Sequence, residues 1–205
     1  MLPINLMLDS SAAMDEKSIL AGLLEFKKFF PERIITLDYS SADHLVRSAR
    51  RIRRSNGRTQ IDANDLLKMV QNYSDQKHHK TPVIEVLFTA KDLATEDTNF
   101  CFGAAWLGDR YTVQSTYRYQ NLRQQDKDLV IKSVLQHELG HVLGMAADLS
   151  RNCTEYKLGP HCTDWNCVMH QSMNVNDAVR IARGARKHGK IYCSLCLADA
   201  RRSKK

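Results

Sequence analysis

His137-Glu138-Leu139-Gly140-His141-Val142-Leu143-Gly144 is the stretch that decides how this chain folds. The residues before it, Asp128 to Gln136, place apolar side chains at Leu129, Val130, Val134 and Leu135. That spacing suits one stripe of a helix. If the helix runs on, His137 and His141 are four apart and project from one face, with Glu138 one step round. Two imidazoles so placed can share a divalent metal, with the carboxylate near its open side. Zinc held there would polarise a carbonyl and lower the pKa of a bound water to about 7. A carboxylate beside that water can take its proton and hand it to a leaving amine. The plainer reading of these five residues is two ordinary helix histidines with a glutamate between them.

Gly144 follows His141 by three positions. Glycine tolerates positive φ and can end a helix, turning the chain back beneath the metal. A catalytic zinc takes three protein ligands and leaves one position open. Downstream, the third can come from Asp148, Glu155 or His161. His161 opens the run His161-Cys162-Thr163-Asp164-Trp165-Asn166-Cys167-Val168-Met169, and Cys193-Ser194-Leu195-Cys196 comes later. This combination resembles the archaemetzincin signature, H-E-x-x-H-x-x-G-x-x-H-C-x4-C-x-M followed by C-x-x-C. The resemblance is good from about Val130 onward and loose before it.

What the resemblance implies is a zinc metallopeptidase of the metzincin clan with two zinc ions, one catalytic and one structural. It makes His137, His141 and His161 the catalytic zinc ligands and Glu138 the general base. Met169 becomes the Met-turn under the metal. Cys162, Cys167, Cys193 and Cys196 form the structural zinc site. The chain departs from the pattern in two places. Met145 to Leu158 are inserted before Gly159-Pro160-His161, and Ala147, which cannot bind metal, stands where the third histidine is expected. The interval from Met169 to Cys193 is also long. A loop can bulge out and return, because closure costs little extra per added residue. His161 is therefore preferred, with Asp148 and Glu155 as rivals.

The chain has 205 residues, enough for one domain or one with a small appendage. Its net charge of +7 bears on solubility and on acidic partners, not on fold. Four of the six cysteines fall as C-x4-C and C-x-x-C, which reads better as a thiolate zinc knot than as a disulfide framework. Cys101 lies in an apolar run and is expected to be a buried small hydrophobe; Cys153 is expected to be a surface thiol. The N-terminus, Met1 to Asp9, has no basic flank and too short an apolar core for a signal peptide. No stretch approaches the roughly 20 apolar residues of a membrane span. Zinc-bound thiolates without an export signal point to the cytoplasm.

Along the chain, Ile4–Leu8 reads as a strand, followed by a helix to about Phe30 and a strand over Ile34–Tyr39. A helix is expected from Ala42 to about Ser55, carrying Arg47, Arg50, Arg51, Arg53 and Arg54 and stopped by Asn56-Gly57. Those arginines read first as a solvated face and second as an anion or nucleic-acid patch. A helix from Asp62 or Asn64 to Tyr73 precedes a polar loop in which His78 and His79 are expected to be exposed. Val83–Phe88 is nearly continuous in apolar residues and so reads as a central strand. Phe100–Leu107, a turn at Gly108-Asp109 and Tyr111–Tyr117 form a hairpin. These strands resemble the metzincin stretch in which an edge strand binds substrate backbone as an added strand. After Met169, Asn174 or Asn176 caps a helix ending near His188.

The expected fold class is α+β: a metzincin-like mixed sheet packed by helices, with the active-site helix last. Residues 1–144 would form the sheet-bearing N-terminal subdomain. Residues 145–205 would form a strand-poor C-terminal subdomain holding the third ligand, the Met-turn and the cysteine site, where a metal clamp offsets a small core. The expected substrate is a peptide or protein; Tyr111, Tyr117 and Tyr156 could assist at the developing oxyanion. Two rivals come from other classes. One is a nucleic-acid-binding zinc module built on the cysteine knot and its surrounding Arg and Lys residues, with a vestigial metal helix. The other is a zinc amidohydrolase acting on a non-peptide amide.

Overall fold

The structure, a computed structural model, describes residues 2–31, 35–37, 42–78, 81–149, 153–156 and 159–203, with backbone alone for 35–37 and 153–156. A five-stranded sheet forms its centre. Its strands are β1 (Ile4–Leu8), β2 (Ile35–Leu37), β5 (Ile84–Thr89), β7 (Gly103–Ala105) and β8 (Tyr111–Ser115), in the order β2-β1-β5-β8-β7. β2, β1, β5 and β8 pair in parallel, and β7 closes one edge antiparallel to β8. β5 lies in the middle and is buried along its whole length, as its nearly continuous apolar run predicts for a strand covered on both faces.

On one face pack α1 (Glu16–Phe29) and α4 (Gln124–Val142), which share a core with Ile4, Leu6, Val86 and Phe88. That core continues into the C-terminal region through Val168, Met169, Ala178 and Tyr192. On the other face pack α2 (Asp43–Ser48) and α3 (Ala63–Lys77), over Met7, Leu87, Tyr111 and Val113. Asp62 caps α3 by accepting from Asn64 N–H at 3.0 Å. His78, just past α3, is half-buried, with Nε2 3.6 Å from Glu85 Oε1, so it is not the exposed loop residue expected; His79 lies outside the described residues.

The arginine segment also departs from expectation. α2 stops at Ser48, and Arg51–Arg53 form β3, which pairs antiparallel with β4 (Thr59–Asp62). β4 in turn pairs with the two-residue β6 (Leu93–Ala94). Asn-Gly serves as a helix stop and as a hairpin turn alike, and here it turns the hairpin. Arg51 then closes α2 from outside, donating to the carbonyls of Ala49 (2.6 Å) and Val46 (3.0 Å).

The expected strand over Phe100–Leu107 is shorter, because its run is divided between two sheets. Cys101 N–H donates to Leu93 at 2.9 Å, whereas Phe102 accepts from Ser115 N–H at 2.8 Å. α4 begins at Gln124; Asp126 near its start suits the positive helix end. Past α4, the inserted stretch returns as a hairpin of β9 (Cys153–Tyr156) and β10 (Gly159–Cys162). α5 (Val175–Lys187), capped by Asn174 as expected, and α6 (Ser194–Arg202) complete the chain.

Candidate metal centre

Helix α4 carries His137, Glu138 and His141 to the floor of a cleft of about 690 Å³. Gly144 takes φ 72° and ends the helical course, as expected of it. β10 then delivers His161. The three rings form one cluster, with centroids 4.7, 5.1 and 5.0 Å apart. His137 Nδ1–H donates to the Val168 carbonyl at 2.6 Å and His161 Nδ1–H to the Gly159 carbonyl at 2.8 Å. A carbonyl only accepts, so both imidazoles are fixed with bare Nε2 lone pairs. His137 Nε2 and His141 Nε2 lie 3.1 Å apart.

This arrangement fits a zinc ion. Two nitrogens on one tetrahedral zinc, each at about 2.05 Å, stand about 3.3 Å apart. A carbonyl behind each ligating imidazole is the usual way its orientation is fixed. Protonation is opposed throughout. Burial holds His137 down to about 4 and His161 to about 3, and burial with its two neighbours holds His141 well below the ordinary histidine range. The described residues that can hold a metal here are these three. Asp148 does not join them, and Glu155, opposite Pro160 in the hairpin, has a side chain outside the described residues.

Glu138 is 6% exposed, and burial pushes its carboxyl up to about 8. It packs against Gly103 of β7, where a Cβ would lie 2.7 Å from Glu138 Oε1 and 2.8 Å from Cγ. Any other residue at 103 would displace the carboxylate. Met169 packs likewise under Gly140, where a Cβ would meet its sulfur at 2.2 Å. Neither glycine was marked by the sequence, because each is required by a side chain distant in the chain.

The second cluster comprises Cys162, Cys167, Cys193 and Cys196, whose sulfurs all lie within 4.8 Å of one another. Cys162–Cys193 and Cys167–Cys196 are 3.8 Å apart, far beyond a disulfide bond. Two sulfurs on one tetrahedral zinc at about 2.3 Å stand about 3.8 Å apart. Backbone N–H groups of Asp164, Cys193 and Cys196 point at the sulfurs of Cys162, Cys167 and Cys193 and favour thiolates. Four sulfurs this close can ionise together only around a cation. Cys101 is buried, as expected, and burial raises its thiol above the usual range; the Cys153 side chain lies outside the described residues.

Of the tyrosines considered for the oxyanion, Tyr111 does not line the cleft and donates to Asp75 at 2.8 Å. Tyr117 does not line the cleft, and the Tyr156 side chain lies outside the described residues. Two of the C-terminal arginines make contacts within the chain. Arg183 forks onto Asp126 at 2.9 and 2.8 Å, and Arg180 stacks on Trp165 at 3.9 Å.

The family model for reprolysin (M12B) family zinc metalloproteases matches residues 56–196, more than half of the chain. An archaemetzincin from Archaeoglobus fulgidus is 30% identical over 131 residues, covering 58% of this chain and 71% of that protein. The chain belongs to the archaemetzincin-like zinc metallopeptidases. The crystal structure of the archaemetzincin from Methanopyrus kandleri superposes with a TM-score of 0.71 at 21% identity, covering 98% of this chain and 94% of that one. A zinc-dependent peptidase from Methanocorpusculum labreanum gives 0.68 at 18% identity, covering 96% and 99%. The archaemetzincin fold is thus shared along nearly the whole chain, and the expected α+β class is correct. As an archaemetzincin-like enzyme the chain is a zinc-dependent peptide-bond hydrolase. No described helix is long and apolar enough to cross a membrane.

Proposed function

We propose that this peptidase holds a catalytic zinc on His137, His141 and His161, uses Glu138 as its general base, and carries a second, structural zinc on Cys162, Cys167, Cys193 and Cys196. The convergence of bare imidazole nitrogens beside a single buried carboxylate carries this reading. When bound, zinc supplies Lewis-acid polarisation of the scissile carbonyl and makes water acidic enough to give up a proton near neutral pH.

Glu138 takes that proton and returns it to the leaving amine. A buried carboxyl whose pKa is raised without the cation can hold a proton at neutral pH, and a nearby cation makes it a base again. Gly103 sets how far the carboxylate stands from β7. Met169, fully buried under Gly140, supports the helix from below as an apolar cushion and not as a ligand.

The substrate lies along β7. Phe102 and Ser115 form a hydrogen-bonded pair, so by alternation Gly103 and Ala105 turn their N–H and C=O groups away from β8, to the open edge. An extended peptide can add there as a further strand, which presents its backbone to the metal helix next door. Residues 1–144 supply this wall and the helix. Residues 145–205 supply the opposite wall, with Val168, Gln171 and Met173 beside Ala178 and Ile181 of α5.

Metal analysis and one variant test the reading together. Two zincs per chain are expected. Glu138→Gln is expected to keep both and lose turnover by about 10²- to 10⁴-fold, the usual worth of a general base. Normal turnover in Glu138→Gln would end the assignment.

A further inference from the structure

The arginines around the β3–β4 hairpin are spent on the wall of the cleft. Residues 95–99 follow β6 and precede β7, and Thr95, Asp97, Thr98 and Asn99 line the cleft. Arg54 donates through Nη2 to the Thr95 carbonyl at 2.8 Å and also to the Thr98 carbonyl. Its Nε donates to Gln60 at 2.8 Å, and Gln60 Nε2 donates to the Asn99 carbonyl at 2.8 Å. Arg58 reaches the same carbonyl at 3.3 Å, and Arg50 pairs with Glu96 at 2.8 Å. Gln60 also bonds buried Asp92 at 2.9 Å, which Arg118 grips with two bonds of 2.8 Å while lying over the Phe100 ring at 4.5 Å.

We propose that Arg54, with Gln60 and Arg58, is a positioning residue for substrate: it pins the 95–99 carbonyls and so fixes the rim that leads into β7. The inference rests on the reading of β7 as the docking edge. The loop closes at its base through Leu93–Cys101 and turns through Thr95–Thr98, but those bonds hold it to itself. Beyond the β4–β6 pairing at its base, its attachment to the rest of the molecule runs through the hairpin's side chains. Glu96, Asp97 and Asn99 are exposed and Thr98 is half-buried, so water replaces part of what is lost, while the carbonyl of buried Thr95 is left short of a donor at some cost to the fold. The larger loss falls on order. An exposed segment without anchors samples many conformations, and a substrate must then restrict them on binding. The effect belongs in KM and not in kcat, because Arg54 touches neither Glu138 nor the three imidazoles.

The test uses the full-length, zinc-replete protein with Arg54→Gln, Arg54→Lys and Ala105→Pro, and two readouts. Amide hydrogen exchange over residues 95–105 reports whether the clamp holds the rim. Kinetics on a quenched fluorogenic peptide cleaved by the parent report what the rim does. Arg54→Gln is expected to speed exchange over 95–105 and raise KM roughly five- to twenty-fold, the worth of one or two charge-assisted hydrogen bonds. kcat should stay within about twofold and zinc content should not change; Arg54→Lys should fall between. Unchanged exchange overturns the clamp. Faster exchange with unchanged KM overturns its role in binding, and a joint fall of kcat and zinc content shows general damage in its place. Ala105→Pro removes one outward N–H from β7; a parental KM there sinks the docking reading while the exchange result still decides the clamp.

Discussion

Replacing Gly103 by alanine asks how closely the sheet edge sets the proposed base. The added methyl would stand 2.7 Å from Glu138 Oε1 and 2.8 Å from its Cγ, whereas ordinary contacts begin at 3.4 Å. The carboxylate must therefore retreat by about 0.7 Å, and a 1 Å misplacement at a reacting centre can cost about 10²-fold. We expect kcat to fall roughly 10- to 100-fold with KM nearly unchanged. Stability should fall by about 0–2.6 kcal/mol: crowding costs about 1–3 kcal/mol, and replacing glycine returns about 0.4–1 kcal/mol through the unfolded chain where the backbone permits it. The assay is steady-state kinetics on one fluorogenic peptide, with zinc content and thermal unfolding measured on the same preparations. A double-mutant cycle sharpens it. Glu138→Ala removes Oε1, Cγ and Cδ together, so adding Gly103→Ala to it should cost far less thermal stability than in the parent. Parental turnover in Gly103→Ala, or full additivity in the cycle, would refute the steric argument.

Gly140→Ala drives a methyl to 2.2 Å from the Met169 sulfur, so thermal stability should drop by about 1–3 kcal/mol; adding Met169→Ala should recover part of the loss. His161→Ala should weaken the first zinc selectively in a chelator titration, and unchanged affinity would hand the third position to Glu155, whose side chain lies outside the described residues. Cys193→Ser with Cys196→Ser should lose one zinc and unfold near physiological temperature, since a site of this kind contributes folding energy directly; retention of two zincs would contradict it. For zinc-free protein, His137 and His161 have pKa values depressed from 6.5 to about 4 and about 3. Their contribution to stability is complete above 6.5 and is lost as pH falls through that window, by up to about 1.4 kcal/mol per pH unit for each histidine. Unfolding at a series of pH values would show it, and His161→Asn should flatten the slope.

Much of this was legible in the residues, for identifiable reasons. His137 and His141 were readable because the helical period carries a face reliably over four positions. β5 was readable because burial on both faces leaves a nearly continuous apolar run, interrupted only at Glu85. His161 was chosen by its attached cysteines and not by its distance from Gly144, and it does join the other imidazoles. The β3 strand was misread because arginine is a good helix former and Asn-Gly ends helices and turns hairpins alike; pairing with β4 decided between them. Phe100–Leu107 was read too long because pattern alone does not reveal a run that changes sheets at Cys101. Gly103 and Arg54 stayed silent for the same reason: their partners come from elsewhere in the chain, and local propensity carries no record of them.

His161 and Cys162 are consecutive on β10, one in the imidazole cluster and the other among the sulfurs. A single amide unit therefore couples the two clusters, so a displacement of either one is handed to the other along one strand.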